Sequence, residues 1–333
     1  MTVPVSEFEA EVSSVSALDE PTGEKGFAGR SPTQLAWVRL KRDKVSLIAG
    51  IIILLAVLLA IAAPFLESAG LFDPYSPSTA VLNSFGLPRT GFGGISGSHL
   101  LGVEPGTGRD VLSRIALGVS FSLLIATAAT VISVVLGTIA GIVSGYAGGA
   151  TDYWISRFMD LVLSFPQLLM LLALSSVLKN RLATIFGSGT STDAAYLIIV
   201  LGFFGWPYLA RIVRGQVLSL RNREFVEAAR SLGASRRRIW FRELLPNLWA
   251  PIIIYASLTL PLNISAEAAL SYLGVGLQAP TPSLGNILND SVSYYDADPF
   301  FFFAPGVVLV LIVLAFNLFG DGLRDALDPK SSR

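Results

Sequence analysis

Apolar positions in this chain gather into six long continuous runs, at about residues 45–66, 119–143, 157–178, 194–213, 250–273 and 300–319, with polar stretches between them. At about 1.5 Å of rise per residue, a helix over any of these runs is long enough to cross a hydrocarbon layer of about 30 Å. Helices apolar on every side belong in lipid rather than on the surface of a soluble domain. The pattern therefore predicts an all-α membrane protein with six transmembrane helices spread over residues 39–329, between a tail at 1–38 and a short end at 330–333.

The runs carry internal features. The second places Ser133, Gly137, Gly141 and Gly145 four apart on one face, where small residues allow two helices to approach closely. The third has Arg157 and Asp160 at its entry and an interruption at Ser164-Phe165-Pro166, and the fourth contains Gly205-Trp206-Pro207. The fifth holds Glu267 within Asn263-Ile264-Ser265-Ala266-Glu267. An ionised carboxylate in hydrocarbon costs several kcal/mol, so Glu267 is expected to face the protein interior, water or the membrane surface. Two roles stay open for it: a substrate or proton site, with Asn263 beside it on the path, or a hydrogen bond to a neighbouring helix.

Among the polar stretches, the first 30 residues are rich in Glu, Ser, Pro and Gly and poor in large apolar side chains, which reads as a disordered cytoplasmic tail with no signal-peptide pattern. Residues 67 to about 118 form the longest polar excursion. Near its end, Arg109 and Asp110 are read either as a local ion pair or as part of a gate. Residues 274–299 contain three aspartates and no basic residue.

The most polar stretch runs from Arg221 to Asn247. It carries seven arginines, and Arg211 and Arg214 precede it. Phe225, Ala228, Ala229 and Leu232 recur at spacings of three and four, an apolar stripe bordered by Arg223, Glu227 and Arg230. Gly233 is placed to stop that helix, Ser235 to cap a second one over Arg236–Glu243, and Pro246 to open the next. A small-faced stripe lets a helix lie deep in the groove of a partner. A basic, partly helical connection on the positive side of a membrane has the same general appearance.

Composition agrees with the pattern. The 333 residues are 52% hydrophobic and only 14% charged, with a mean hydropathy of +0.62. Formal net charge is zero, so nothing in it points to a nucleic-acid partner. Placement of charge is more informative. Nineteen of the 24 lysines and arginines fall in the tail, the 144–157 turn, the arginine-rich stretch and the C-terminus, against five in the other three connections. The excess of basic residues on the cytoplasmic side of membrane proteins then predicts both termini and residues 221–247 inside.

Candidate chemistry is sparse. The chain has no cysteine, and His99 is its only histidine, which leaves no thiol nucleophile or zinc-thiolate site and a weak case for any metal. None of the five lysines follows a glycine, so no phosphate-binding loop is present and the chain is not expected to hydrolyse ATP. No catalytic residue is assigned.

Glu227-Ala228-Ala229, three further residues, Gly233 and then Leu245-Pro246 resemble the EAA loop of permease subunits of bacterial ABC importers. The family pattern usually has an isoleucine two positions before Leu-Pro, where this chain has Glu243. Gly108-Arg109-Asp110, Ser164-Phe165-Pro166, Ala266-Glu267-Ala268-Ala269-Leu270-Ser271-Tyr272-Leu273-Gly274, Pro280-Thr281-Pro282-Ser283 and the run from Asn317 to Pro329 resemble the second permease of dipeptide and oligopeptide importers.

That resemblance implies a type I ABC importer permease fold in a bacterial inner membrane, N-in and C-in, with a cytoplasmic coupling helix that uses Phe225, Glu227, Ala228, Ala229, Arg230, Leu232 and Gly233. It also implies partners: a second homologous permease, two ATP-binding cassette ATPase subunits or domains and an extracytoplasmic peptide-binding protein. ATP and Mg would be bound by the ATPases, with no cofactor in this chain. Di- or oligopeptides are the implied cargo, and nickel and glutathione importers share the branch. A reading from a different class makes the chain a proton-coupled secondary transporter working through Glu267.

Overall fold

The structure is a computed structural model, and it describes residues 32–327. Most of the tail expected at 1–38 and the end at 330–333 lie outside the described residues. Ten helices organise the chain: α1 (Pro32–Arg42), α2 (Lys44–Ser68), α3 (Val111–Ala147), α4 (Gly149–Ser164), α5 (Gln167–Phe186), α6 (Thr190–Leu220), α7 (Glu224–Ser231), α8 (Trp249–Tyr272), α9 (Leu284–Val292) and α10 (Pro299–Leu327). Six of them, α2, α3, α5, α6, α8 and α10, are long and apolar enough to cross a membrane.

Where the helices begin and end departs from the apolar runs for identifiable reasons. The second crossing starts at Val111 rather than 119, because the Asp110 carboxylate caps it by accepting from the Ser113 N–H at 2.8 Å. The third apolar run, 157–178, is not one helix. Pro166 has no N–H to continue a helix, Phe165 is extended at ψ 134°, and the expected single helix is therefore two, α4 and α5. The expected polar connection at 179–193 is mostly helix. Lys179 is accommodated there because its Nζ reaches Asp193 at 2.6 Å and the Gly276 carbonyl at 2.9 Å.

The centre of the bundle is the seam between α3 and α6. A Cβ added at Gly141 would lie 2.6 Å from Val213 Cβ and 2.7 Å from the Ala210 carbonyl, and one at Gly145 would lie 2.8 Å from Val217 Cβ. Ser133 Oγ donates to the Gly202 carbonyl at 2.9 Å in the same seam. The four-residue spacing of small side chains thus packs this subunit against itself. Helices α2 and α10 lie against each other at the margin, and α2 exposes only apolar side chains such as Leu54 and Leu58 along its middle.

At the end of the bundle away from the arginines, residues 69–110 fold back as a compact lobe on the start of α3. Arg114 is fully buried, with its guanidinium on Glu104 and, at 3.3 Å, on Asp290 of α9. Arg109 donates to Glu104 through Nε at 2.6 Å and Nη2 at 3.0 Å. The local Arg109–Asp110 ion pair allowed by the sequence is not formed. Asp110 instead meets His99 Nδ1 at 3.0 Å while capping α3.

Candidate coupling site and candidate path residues

The arginine-rich end is mounted on α6. Arg221 Nη1 donates to the Gly145 carbonyl at 3.1 Å, which fixes the chain as it leaves α6 for α7. Val226 is fully buried and packs with Val213, Val217, Ile239, Leu244 and Leu248. That side chain packs α7 onto the bundle from beneath. The apolar stripe is on the other side: Phe225 is 38% exposed, Leu232 88% exposed, and Ala228 is open to solvent while Ala229 is half-buried.

The ends of α7 are fixed by local chemistry. Gly233 takes φ 77°, a left-handed conformation that an L side chain adopts only at a cost, and the Ala234 N–H returns to the Ala229 carbonyl at 3.0 Å. The Arg230 guanidinium lies 5.7 Å from the centre of the Tyr146 ring, and Tyr146 meets Trp240 edge-on at 6.2 Å. Beyond Gly233, Ser235 accepts from the Arg238 N–H at 3.4 Å. The second helix expected over Arg236–Glu243 is only a turn, Arg236–Arg238, followed by a π-helical turn at Ile239–Leu244 and a 3-10 turn at Leu245–Asn247. Pro246 has no N–H to continue an α-helical ladder, so the wider and then tighter turns carry the chain into α8.

Ion pairs brace the neighbouring helices. Arg214 of α6 clamps Asp152 of α4 through two bonds of 2.6 Å, and Ser144 of α3 donates to the same carboxylate. The Arg214 guanidinium holds the Asp152 carboxyl well below the usual carboxylate range.

The path candidates occupy two other places. Glu267 is fully buried in α8, accepting from Ser122 Oγ of α3 at 2.5 Å and Ser271 Oγ at 2.7 Å, and Ser271 Oγ accepts in turn from the Leu277 N–H at 3.1 Å. Asn263, one turn earlier, donates to Thr130 Oγ1 of α3 at 2.9 Å. Both side chains therefore bolt α8 to α3. Arg109 and Asp110 lie in the lobe at the far end. The seven coupling candidates come together on α7 and the two residues that follow it, whereas the four path candidates do not form one site. Sequence reasoning missed Val226, Tyr146 and Trp240, which hold α7 in place. Val226 stands three residues before Ala229, so helical spacing alone does not separate it from the stripe, and no pattern within 221–247 shows that it points inward.

In the lobe, burial works to raise the Glu104 carboxyl, but the hydrogen bond from Arg109 and the charge of Arg114 outweigh it and hold the group below its ordinary value. Burial pushes the Asp290 carboxyl up, against the pull of Arg114.

Six crossings, a central glycine-packed seam and a short exposed helix on a braced mount define a multi-pass permease subunit of the ABC importer type. The same fold appears in the inward-facing MetNI methionine ABC transporter, at a TM-score of 0.51 and 22% identity over 66% of this chain and 96% of that one. Within that class, the chain belongs to the family described as binding-protein-dependent transport system inner membrane component, matched over residues 135–333. Residues 31–86 match the N-terminal TM domain of oligopeptide transport permease C. Similar proteins include the oligopeptide transport system permease protein OppC of Haemophilus influenzae, 36% identical over 99% of this chain and 98% of that protein. The dipeptide transport system permease protein DppC of Alkalihalophilus pseudofirmus is 37% identical over 94% of each. The glutathione transport system permease protein GsiD of Pectobacterium atrosepticum is 36% identical over 90% of this chain and 92% of that one.

Proposed function

We propose that this chain is one of two membrane subunits of an ATP-driven, binding-protein-dependent importer of di- or oligopeptides. It lies in a bacterial inner membrane with both termini and α7 in the cytoplasm, and forms half of the translocation path. A second permease completes the path, two ATP-binding cassette ATPases bind ATP and Mg, and an extracytoplasmic protein delivers the peptide. One observation carries the reading: α7 presents Phe225, Ala228 and Leu232 to solvent while Val226 anchors it from beneath. An apolar stripe held out from a rigid mount is suited to receive force from a separate protein. The names of the relatives, peptide permeases and a glutathione permease, support small peptides as cargo.

The ATPases, closing on ATP, push through α7, and the bundle turns from inward- to outward-facing. Shifting a two-state equilibrium from 1:99 to 99:1 takes about 5.5 kcal/mol of differential binding. The Val226 contact, the Arg230–Tyr146 contact and the Asp152–Arg214 clamp join α7 and its neighbours to the bundle through which that force would pass.

The test is reconstitution of this chain in proteoliposomes with and without its partner subunits. Peptide accumulation is expected to require the ATPases and ATP. Accumulation by the chain alone under a proton gradient would establish the secondary-transporter reading instead.

A further inference from the structure

The break between α4 and α5 lies where lipid cannot tolerate it. Gln167 is twelve residues, about 18 Å of helix rise, below Lys179, whose pairing with Asp193 and the Gly276 carbonyl marks the outer level. Tyr208 of α6 is six residues, about 9 Å, above Arg214, which marks the inner one. These two estimates put the break well inside a hydrocarbon layer of about 30 Å.

A helix end leaves carbonyls unpaired and a helix start leaves N–H groups unpaired. Only one of the carbonyls, that of Leu161, gains a side-chain donor, Ser164 Oγ at 2.7 Å, and no side chain caps α5. Residues Ser164 to Gln167 are all exposed, and Tyr208 is 58% exposed beside them. Together with Phe204 they line an open recess of about 360 Å³. Among the described residues, neither the Gln167 amide nor the Tyr208 hydroxyl has a hydrogen-bond partner.

The polar character continues toward the cytoplasm on the same pair of helices. Asp160 of α4 accepts from Arg211 Nη2 of α6 at 2.5 Å, with Arg157 Nη1 at 3.7 Å, and all three side chains are about half exposed or more. The lipid-facing middle of α2 shows nothing of this kind. Exposed irregular backbone and ionised side chains occur at such depth only against protein or water.

We infer that Arg157, Asp160, Ser164, Gln167, Tyr208 and Arg211 form this subunit's wall of the water-filled path, and that a passing peptide exchanges hydrogen bonds with them. The inference rests on the importer reading for the identity of the cargo, and on geometry alone for the location of the water. A peptide shedding its hydration needs donors and acceptors for its main chain and both its charged ends. The Ser164–Gln167 backbone, Tyr208 and the Asp160–Arg211 pair supply both kinds.

The chain contains no cysteine, so single cysteines report cleanly. In the assembled transporter in lipid nanodiscs, Ser164→Cys, Gln167→Cys and Tyr208→Cys would be treated with a membrane-impermeant charged maleimide. Leu54→Cys and Leu58→Cys on α2 serve as lipid-facing controls, and labelling is read from the mass of this chain. Because the reactive species is the thiolate, which hydrocarbon suppresses, the three test positions are expected to react about 100-fold faster than the controls. Trapping the ATPases with ATP and vanadate is expected to change those rates. Ser164→Cys is nearly isosteric and covers the case in which a larger change disturbs assembly. Test cysteines as slow as the controls would overturn the inference even if the parent transporter imports peptide normally. Fast labelling of a transporter that imports no peptide would sustain the path and remove the peptide assignment.

Discussion

Glu104→Gln isolates the element that fastens the outer lobe to the bundle. Glu104 is 3% exposed and receives both Arg109 and Arg114, and Arg114 also reaches Asp290. Replacing the carboxylate by an amide keeps the volume but leaves the guanidinium of Arg114, itself 0% exposed, without its main counter-charge. Removing one member of a buried pair costs about 3–5 kcal/mol, far more than the pair contributes relative to a well-packed apolar substitute. At roughly 2 °C per kcal/mol for a chain of this size, the melting midpoint of the purified complex is expected to fall by about 5–10 °C at one fixed heating rate. The double variant Glu104→Gln, Arg114→Met is expected to recover part of the loss, since it removes the stranded charge as well. The pH dependence has a definite sign. The folded Glu104 carboxyl sits below its ordinary value, so its contribution is present at neutral pH and lost as the pH falls below the usual carboxylate range, about 4. The gap between parent and Glu104→Gln therefore narrows on acidification. Asp290 is shifted the other way by burial, so its ionisation costs stability as the pH rises through its raised value, and Asp290→Asn is expected to be milder than Glu104→Gln. A shift under 2 °C for Glu104→Gln at neutral pH, or no rescue in the double variant, would refute a network that holds the lobe.

Three further outcomes follow from the bundle. Gly141→Leu is expected to force α3 and α6 apart, because even a Cβ at that position comes within 2.7 Å of the Ala210 carbonyl; a cost of about 1–3 kcal/mol should appear as reduced yield of assembled complex, and a normal yield would contradict the seam. Glu267→Gln keeps one acceptor oxygen and turns the other into an NH2 donor, from which the facing serine hydroxyl can rotate to accept, so ATP-driven uptake is expected to stay within about two-fold of the parent; loss of about ten-fold or more would return Glu267 to a proton-carrying role. Gly233→Pro demands φ near −65° where the chain has 77°, and is expected to leave the subunit in the membrane while ATP hydrolysis continues without uptake, measured as phosphate release against peptide accumulation; coupled uptake at parent levels would show that the end of α7 need not be fixed.

Much of the fold was legible because lipid imposes long apolar helices, and the 3.6-residue period survives in their small residues. Ser133, Gly137, Gly141 and Gly145 declared a close seam from spacing alone, and the structure names the other side of it as α6. The ends of the helices were less legible. Hydropathy does not register a cap such as Asp110, which adds two turns to α3, nor a helix restart after Pro166, which divides the third apolar run between α4 and α5. At Lys179 a charge ends the third apolar run, yet a partner fourteen residues on, Asp193, lets the helix continue. Burial depth was not legible at all. Nothing local distinguishes Glu267, sealed among hydroxyls from three segments, from a carboxylate open to a pore. For α7 the stripe was visible in the sequence, but Val226, Tyr146 and Trp240 that hold it come from contacts among separate elements.

The central claim is that α7 engages a separate ATPase. A photo-crosslinking amino acid placed at Phe225 or Leu232, in cells producing the whole transporter, tests it directly when the adducts on this chain are identified by mass spectrometry. The predicted adduct is an ATP-binding cassette subunit, formed at both positions and lost when the same group replaces the buried Val226. Adducts only with lipid, or with an extracytoplasmic protein, would contradict the account.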